Sequence, residues 1–229
     1  MLKRSAIWLL PFLCLWVFAQ EESVKPGIND SWKSEEIDPL INRLESESRE
    51  IYVERHKLVE LLDIKPGSTV ADIGAGSGFM ALLFAEAVGP EGKVYAVDIN
   101  PTMMESVAKQ AAEEGLKQLE TVVCPETSVG LPDASVDLMF ICDTYHHFEY
   151  PNTVNASIYK AIKPGGQLII VDFIRIEGVS EEWIMNHVRA GKEVFSREIE
   201  AAGFKLVKEH DAPFLQENYV LRFDRIEKK

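Results

Sequence analysis

The sequence predicts an α/β fold: a seven-stranded, mostly parallel sheet with helices on both faces and an antiparallel hairpin at its C-terminal end. Two patterns predict it. Between residues 69 and 173, short apolar runs alternate with amphipathic stretches, as strands and helices do in a parallel sheet. Beyond residue 204, two strand-like runs follow each other without a helix between them, so one of them must run antiparallel.

The elements follow in a regular order. A helical pattern over residues 47–62 ends at the Lys-Pro-Gly of residues 65–67. The parallel strands are then predicted at Thr69–Ile73, Lys93–Asp98, 121–124, Val136–Cys142 and 167–173. Helices are predicted between them at Phe79–Val88, 102–114 and 153–162. Two more helical stretches, near 180–190 and 196–202, precede the hairpin strands at 205–211 and Asn218–Arg225.

The N-terminal residues have the layout of a secretory signal peptide. Lys3 and Arg4 precede an apolar stretch over residues 6–18, and Ala19 is a small residue suited to cleavage. The apolar stretch is shorter than the roughly 20 residues that span a bilayer, so no membrane span is expected after cleavage. The alternative is an uncleaved anchor. We therefore expect a signal peptide at 1–19, a linker or N-terminal arm at 20–46, and one folded domain at 47–229. The expected location is periplasmic or extracellular.

Composition excludes one class of partner. The chain has 229 residues, of which 46% are hydrophobic, enough for one domain with a substantial core. Its net charge is −13, whereas a nucleic-acid-binding protein should present a basic face. We therefore expect no nucleic-acid partner; the sequence indicates no oligomeric state.

Glycines alternate in the stretch that joins the first strand to the following helix. Gly74, Gly76 and Gly78 follow Asp72, and glycine lets a ligand approach bare backbone at a helix N-terminus. A dinucleotide loop would have its third glycine where this chain has Phe79, which disfavours a nucleotide-dependent oxidoreductase. Asp98 ends the second strand, where its carboxylate could accept hydrogen bonds from both hydroxyls of a ribose.

Several motifs now appear in a characteristic order. "VADIGAGSGF", "VYAVDIN", "LPDASVDLMFICDTYHHFEYP" and "AIKPGGQLIIVDF" resemble successive motifs of the class I, Rossmann-like S-adenosylmethionine-dependent methyltransferases. The resemblance extends from about residue 50 to the C-terminus, hairpin included. Taken together with the predicted signal peptide, these motifs make the chain similar to exported small-molecule methyltransferases. The resemblance implies S-adenosylmethionine as cofactor and a strand order that keeps Cys124 and Cys142 too far apart for a disulfide.

The resemblance also implies which residues bind the cofactor. They lie on the glycine loop and at the ends of the next three strands: Asp72, Gly74, Ala75, Gly76, Gly78, Asp98, Ile99, Glu126, Thr127 and Asp143. Asp98 would bind the ribose and Ile99 the adenine. Glu126 or Thr127 would lie near the adenine amino group, although the family often has an Asp near this point. The alternative for Glu126 is a solvated loop acid.

Groups that act on the methyl acceptor should lie at the carboxyl ends of the strands. The catalytic candidates are Asp143, His146 and His187, whereas His147 is expected to order its loop. Arg189 could bind an anionic acceptor or lie on a solvated helix surface. These residue types suit a metal, but no tight ligand spacing is present, so no metal is predicted.

The predicted function is therefore methyl transfer from S-adenosylmethionine to a small-molecule acceptor. The alternative is a non-catalytic cofactor-binding protein with the same fold. The predicted export favours this alternative, because the cofactor is made in the cytosol.

Overall fold

The computed structural model describes residues 21–227 and contains a seven-stranded sheet. The predicted signal peptide lies outside the described residues. The strands are β1 Thr69–Ile73, β2 Lys93–Asp98, β3 Leu119–Val123, β4 Val136–Cys142, β5 Ile162–Phe173, β6 Phe204–Glu209 and β7 Asn218–Arg225. Their spatial order is β3-β2-β1-β4-β5-β7-β6, with β1 to β5 parallel. The chain adds β2 and β3 on one side of β1, and β4 and β5 on the other, so the order reverses between β1 and β4. Such sheets form their ligand crevice at this point.

Helices cover both faces of the sheet. The described α-helices are α1 Asp38–Leu44, α2 Glu50–Val53, α3 Arg55–Leu62, α4 Phe79–Val88, α5 Pro101–Glu113, α6 Pro151–Ala161, α7 Glu182–His187 and α8 Lys192–Ala202. Buried side chains of α3, α4 and α5 form one core with one face of the sheet, for example Leu58, Phe84 and Met103. Those of α6 and α8 form the other core, for example Ile158 and Phe195. The predicted fold class is confirmed.

The C-terminal hairpin is also confirmed. Strand β7 pairs antiparallel with β6 on one side and with β5 on the other. Strand β5, which pairs with β7, is longer than the sequence predicts, because it begins at Ile162 rather than at residue 167. Pro164, Gly165 and Gly166 indicate a turn in the sequence, but here they lie within an irregular strand, whose register shifts between the pairings of Val136 and Leu138.

The N-terminal arm, residues 21–46, packs across the carboxyl edge of the sheet. It contains a short 3-10 helix at Asp30–Lys33 as well as α1. The side-chain amide of Asn100 donates to the carbonyls of Trp32 and Ser34, at 2.8 and 2.9 Å. These contacts bring arm residues to the end of β2. Within residues 21–227, no helix combines the length and apolarity needed to cross a membrane.

Candidate functional site

A cavity of about 540 Å³ opens at the carboxyl ends of the five parallel strands, β1 to β5. Loops after these strands form one side of it, and the N-terminal arm forms the other. Its lining includes most of the residues singled out by the sequence: Gly74, Gly76, Asp98, Ile99, Glu126, Asp143, His146, His147 and His187. The cavity therefore lies where the strand order reverses, as expected for a ligand site in an open α/β sheet.

The glycine loop folds tightly under the cavity. Gly74, Gly76 and Gly78 have φ angles of +73°, +54° and +82°, in the left-handed region that favours glycine. The amides of Gly74 and Ala75 both donate to the Val97 carbonyl, at 2.8 and 3.0 Å. A Cβ on Gly74 would lie 2.3 Å from Thr144 Cγ2. The loop thus requires glycine for backbone conformation and for close packing.

Asp98 is held at the mouth of this loop. Its Oδ2 accepts from the Gly76 amide and its Oδ1 from the Asn100 amide, each at 2.9 Å. Burial raises the pKa of Asp98, although these backbone donors oppose the shift. Each carboxylate oxygen keeps a further lone pair for a ligand hydroxyl. The structure therefore places this carboxylate in the cavity wall, as the ribose-binding hypothesis requires.

Four of the predicted cofactor-binding residues are absent from the cavity lining given by the described residues: Asp72, Ala75, Gly78 and Thr127. Gly78 instead occupies the N-cap of α4. Asp72 is buried below the loop, where its Oδ2 has no hydrogen-bond partner among residues 21–227. Burial, and then the charge of Asp98, raise the pKa of Asp72 to about 7. Asp72, Ala75 and Gly78 belong to the glycine loop or to the strand before it, whereas Thr127 lies in the loop after β3. The cavity touches none of the four.

Glu126 lines the cavity but is engaged by the arm. Its two carboxylate oxygens accept from the side-chain amide of Asn29 and from Lys33 Nζ, each at 2.9 Å. Partial burial opposes ionisation, yet the bonds from Lys33 and Asn29 lower the pKa of Glu126. It is therefore a paired acid that ties the arm to the loop after β3, rather than a solvated loop acid.

Asp143 is similarly tied by both oxygens. Its Oδ2 accepts from Arg49 Nη2 and its Oδ1 from the side-chain amide of Asn218, each at 2.6 Å. Its backbone has a φ of +47°, unusual for a residue with a side chain. Burial raises the pKa of Asp143, while Arg49 opposes the shift. This carboxylate joins the segment before α2 to the start of β7 at the cavity wall.

Three histidines come together in the cavity wall. His146 Nδ1 lies 2.8 Å from a carboxylate oxygen of Asp172, and both side chains are buried. His147 Nδ1 lies 3.2 Å from Asn29 Oδ1, and the Nε2 atoms of His147 and His187 are 3.3 Å apart. The sequence predicted that His146 and His187 face the acceptor, and both line the cavity. His147, expected only to order its loop, belongs to the same cluster.

Arg189 points away from the cavity. Its guanidinium forms two hydrogen bonds to Glu198, at 2.8 and 2.6 Å, and lies over the rings of Tyr145 and Phe195. It therefore joins α8 to the core instead of presenting a charge to an anionic acceptor. Cys124 and Cys142 are free thiols in the described part of the chain, as predicted.

Several lining or supporting residues were not singled out in the sequence. Asn29, Trp32 and Arg49 come from or near the arm. The helical spacing of Ile37, Leu40, Ile41 and Leu44 could have indicated that the arm packs on the domain. Asp172 did carry a signal, since it is an acid in an otherwise apolar strand. A charge in such a strand implies a specific buried partner, here His146.

Fold and site together define a Rossmann-like protein with a glycine loop and a buried acid, Asp98, at one wall of a cavity. Comparison with known proteins indicates which members of this class the chain is similar to. Residues 71–170 match the family model of a methyltransferase domain. The ubiquinone/menaquinone biosynthesis C-methyltransferase of Bordetella avium is 30% identical over 114 residues, or 50% of this chain and 44% of that protein. Its counterpart from Hydrogenovibrio crunogenus is 30% identical over 119 residues, or 52% and 47%. The chain thus aligns with less than half the length of these relatives.

Solved structures agree on the architecture. A SAM-dependent methyltransferase from Aquifex aeolicus superposes with a TM-score of 0.71 at 26% identity, covering 82% of this chain and 98% of that one. The [4+2]-cyclase SpnF superposes with a TM-score of 0.65 at 16% identity, covering 76% and 81%, which shows the shared fold alone. Together the matches show that the chain is similar to methyltransferases in sequence over residues 71–170 and to a SAM-dependent methyltransferase in fold over most of its length. The cyclase shows that the fold by itself does not define the reaction.

Proposed function

We propose that this protein transfers a methyl group from S-adenosylmethionine to a small-molecule acceptor. The observation that carries the proposal is the juxtaposition of the glycine loop and Asp98 at one wall of the cavity. Gly74 and Gly76 present bare backbone there, and neither has space for a Cβ. Asp98 is held by two backbone amides with lone pairs to spare. These residues fit the adenosyl part of the cofactor.

The chain's own residues would bind and orient both reactants. When bound, S-adenosylmethionine supplies an electrophilic methyl group on a sulfonium. Asp98 would accept from the ribose hydroxyls, and Ile99 would lie against the adenine. His146 and His187 would face the acceptor, beside the rings of Phe173 and Trp183 in the same lining. These aromatic side chains would help to keep water from the reacting atoms.

The size of the cavity supports a small acceptor. At about 540 Å³ it lies within the range of small-molecule and cofactor sites. The net charge of −13 also disfavours nucleic acid as the acceptor. A cofactor and a compact acceptor would together fill a space of this kind.

Calorimetry with S-adenosylmethionine tests the cofactor site. Asp98→Ala should weaken binding by about 1–3 kcal/mol, or roughly 5- to 150-fold, because hydrogen bonds to a charged group are lost. Asp133→Ala, which removes an exposed acid remote from the lining residues, should bind as the unaltered protein does. Absence of binding, or preferential binding of a nicotinamide dinucleotide, would refute the proposal.

Turnover must be tested separately from binding. The unaltered protein is incubated with S-adenosylmethionine bearing a labelled methyl group and a panel of thiols, phenols, amines and quinones. Label transfer with matching release of S-adenosylhomocysteine supports a methyltransferase. Tight cofactor binding without release of that product across the panel would favour a non-catalytic binding protein.

A further inference from the structure

We propose that His146, His147 and His187 form a binding site for a divalent metal ion, with Zn²⁺ the best-suited ion. One ring nitrogen of each histidine lies within 4.8 Å of those of the other two. All three residues line the cavity. Metal binding at this cluster does not depend on the proposed methyl transfer.

The closest pair of nitrogens has the spacing of a tetrahedral site. The Nε2 atoms of His147 and His187 are 3.3 Å apart. Zinc–imidazole bonds of about 2.0–2.1 Å at a tetrahedral angle place two nitrogens about 3.4 Å apart. The ligand nitrogen of His146 lies within 4.8 Å of both, which completes a three-nitrogen set.

Asp172 prepares His146 as a ligand. A carboxylate only accepts hydrogen bonds, so the bond between Asp172 and His146 Nδ1 places a proton on Nδ1. The lone pair is then on Nε2. A carboxylate behind a histidine is the usual outer-shell partner of a metal ligand, because it fixes the tautomer and ring orientation.

Asn29 does the same for His147 through its amide oxygen. The Asn29 amide nitrogen donates to Glu126 and to the carbonyl of His147, at 2.9 and 3.2 Å. These two acceptors fix the amide orientation, so Asn29 Oδ1 faces His147 Nδ1 as an acceptor. His147 must therefore carry its proton on Nδ1 and leave Nε2 free to bind metal.

A metal requires neutral imidazoles, because the coordinating ring nitrogen must keep its lone pair. The three histidines bring one such nitrogen each to the same point, with the Asp172 carboxylate behind His146.

Three protein nitrogens leave a coordination position open. Imidazole ligands suit Zn²⁺, Cu²⁺, Ni²⁺ and Fe²⁺, and zinc sites with three protein ligands and one open position are typical of catalysis. Because the histidines line the cavity, the open position is available to water or to a heteroatom of a cavity ligand. If the proposed function also holds, a thiol or hydroxyl acceptor bound there would ionise more readily.

Metal titration of the full chain, freed of metal by a chelator, tests the site. Zn²⁺ should bind at one ion per chain, measured by equilibrium dialysis and elemental analysis. Co²⁺ should give the intense visible absorption of a tetrahedral complex. His187→Ala should weaken Zn²⁺ binding at least 10-fold, since it removes a ligand. His56→Ala, at an exposed histidine outside the cluster, should leave binding unchanged.

A positioning variant guards against simple unfolding. Asn29→Ala keeps all three histidines but removes the acceptor for His147 Nδ1, and outer-shell changes typically weaken metal binding 10- to 100-fold. Circular dichroism verifies the fold of each variant. Binding below one ion per chain, or equal Zn²⁺ affinity of His187→Ala and His56→Ala, would overturn the proposal. Calorimetry of the metal-free protein with S-adenosylmethionine tests the proposed function independently.

Discussion

Asp72 shows how a single buried acid can set the pH dependence of stability. Its pKa is about 7, raised by burial and then by Asp98, against an ordinary value of 3.8. Below pH 4 it is protonated in both folded and unfolded states. Between pH 4 and 7 only the unfolded state ionises, so the free energy of unfolding falls as the pH rises.

We therefore expect Asp72→Asn to flatten this dependence. Between pH 5 and 8 the unaltered protein should lose about 2 to 3 kcal/mol more unfolding free energy than the variant, because Asn carries no proton to release. Urea unfolding at both pH values measures the difference. Asp133→Asn, at an exposed acid, serves as the control. Parallel profiles for Asp72→Asn and the unaltered protein would contradict the raised pKa.

Two glycines with the same φ separate conformational strain from crowding. Gly74 and Gly115 both have φ of +73°, but a Cβ on Gly115 would meet nothing within 4 Å, whereas one on Gly74 would meet Thr144. Gly115→Ala should cost about 1 kcal/mol, and Gly74→Ala about 1–3 kcal/mol more because of overpacking. Thermal unfolding and calorimetry measure both variants. Equal losses would show that Thr144 yields without cost.

The residues of the site differed in how far the sequence revealed them. The glycines and Asp98 were predictable because local spacing places them on one loop and one strand end. The histidine cluster was not, because His187 lies forty positions from His147 and Asn29 comes from the arm. Only the folded chain brings these groups together.

Among the elements, the N-terminal arm is attached by apolar as well as polar contacts, since Ile37, Leu40, Ile41 and Leu44 pack against the core. The pair between Arg49 and Asp143 continues this attachment at the end of the arm, with side chains 22% and 8% exposed. Arg49 also donates to the carbonyl of Leu44, the last residue of α1. Loss of Arg49 would leave a buried carboxylate with one partner fewer.

We expect Arg49→Leu to destabilise the protein by about 2–4 kcal/mol, because breaking a largely buried ion pair leaves an unpaired charge. Lys109→Ala breaks an exposed pair with Glu113 and should cost less than about 0.5 kcal/mol. Urea unfolding measures both, and limited proteolysis reports whether residues 21–46 become cleavable. An effect of Arg49→Leu no larger than that of Lys109→Ala would contradict the structural role.

Element prediction succeeded where hydrophobic periodicity controls structure. The bounds of β1, β2, β4, β7 and α4 match the sequence expectation. The early start of β5 was missed because Pro164 and two glycines normally indicate a turn. Helix α1 of the arm was missed because Pro39 was interpreted as a break in a linker, whereas it lies in the first turn of the helix, and Ile37, Leu40, Ile41 and Leu44 recur at helical spacing.

At the scale of the whole molecule, the alternation of strands and helices was enough to predict the fold class. The strand order was implied by the family resemblance, since periodicity alone does not specify which strands are neighbours. The acceptor was not predictable in either way. Its identity depends on the detailed shape of a cavity that the arm and the ends of five strands form together.

The N-terminal residues lead to a prediction about export and processing of the chain. We propose that residues 1–19 direct export and are removed, so that N-terminal sequencing of the exported protein begins at Gln20. Replacing the small residue before the cleavage point, as in Ala19→Arg, should block processing. Intact Met1 on a membrane-bound form would indicate an anchor, and intact Met1 on a soluble cytosolic form would contradict export.

The positions of the tryptophans make intrinsic fluorescence a reporter of the cavity. Trp32 and Trp183 both line the cavity, with ring centroids 5.9 Å from His147 and 6.5 Å from His187. The remaining indoles, Trp8 and Trp16, lie within the proposed leader at residues 1–19. In a processed chain, all tryptophan fluorescence would therefore originate beside the histidines. Binding of a quencher such as Cu²⁺ at the histidines should lower the intensity of the entire tryptophan emission.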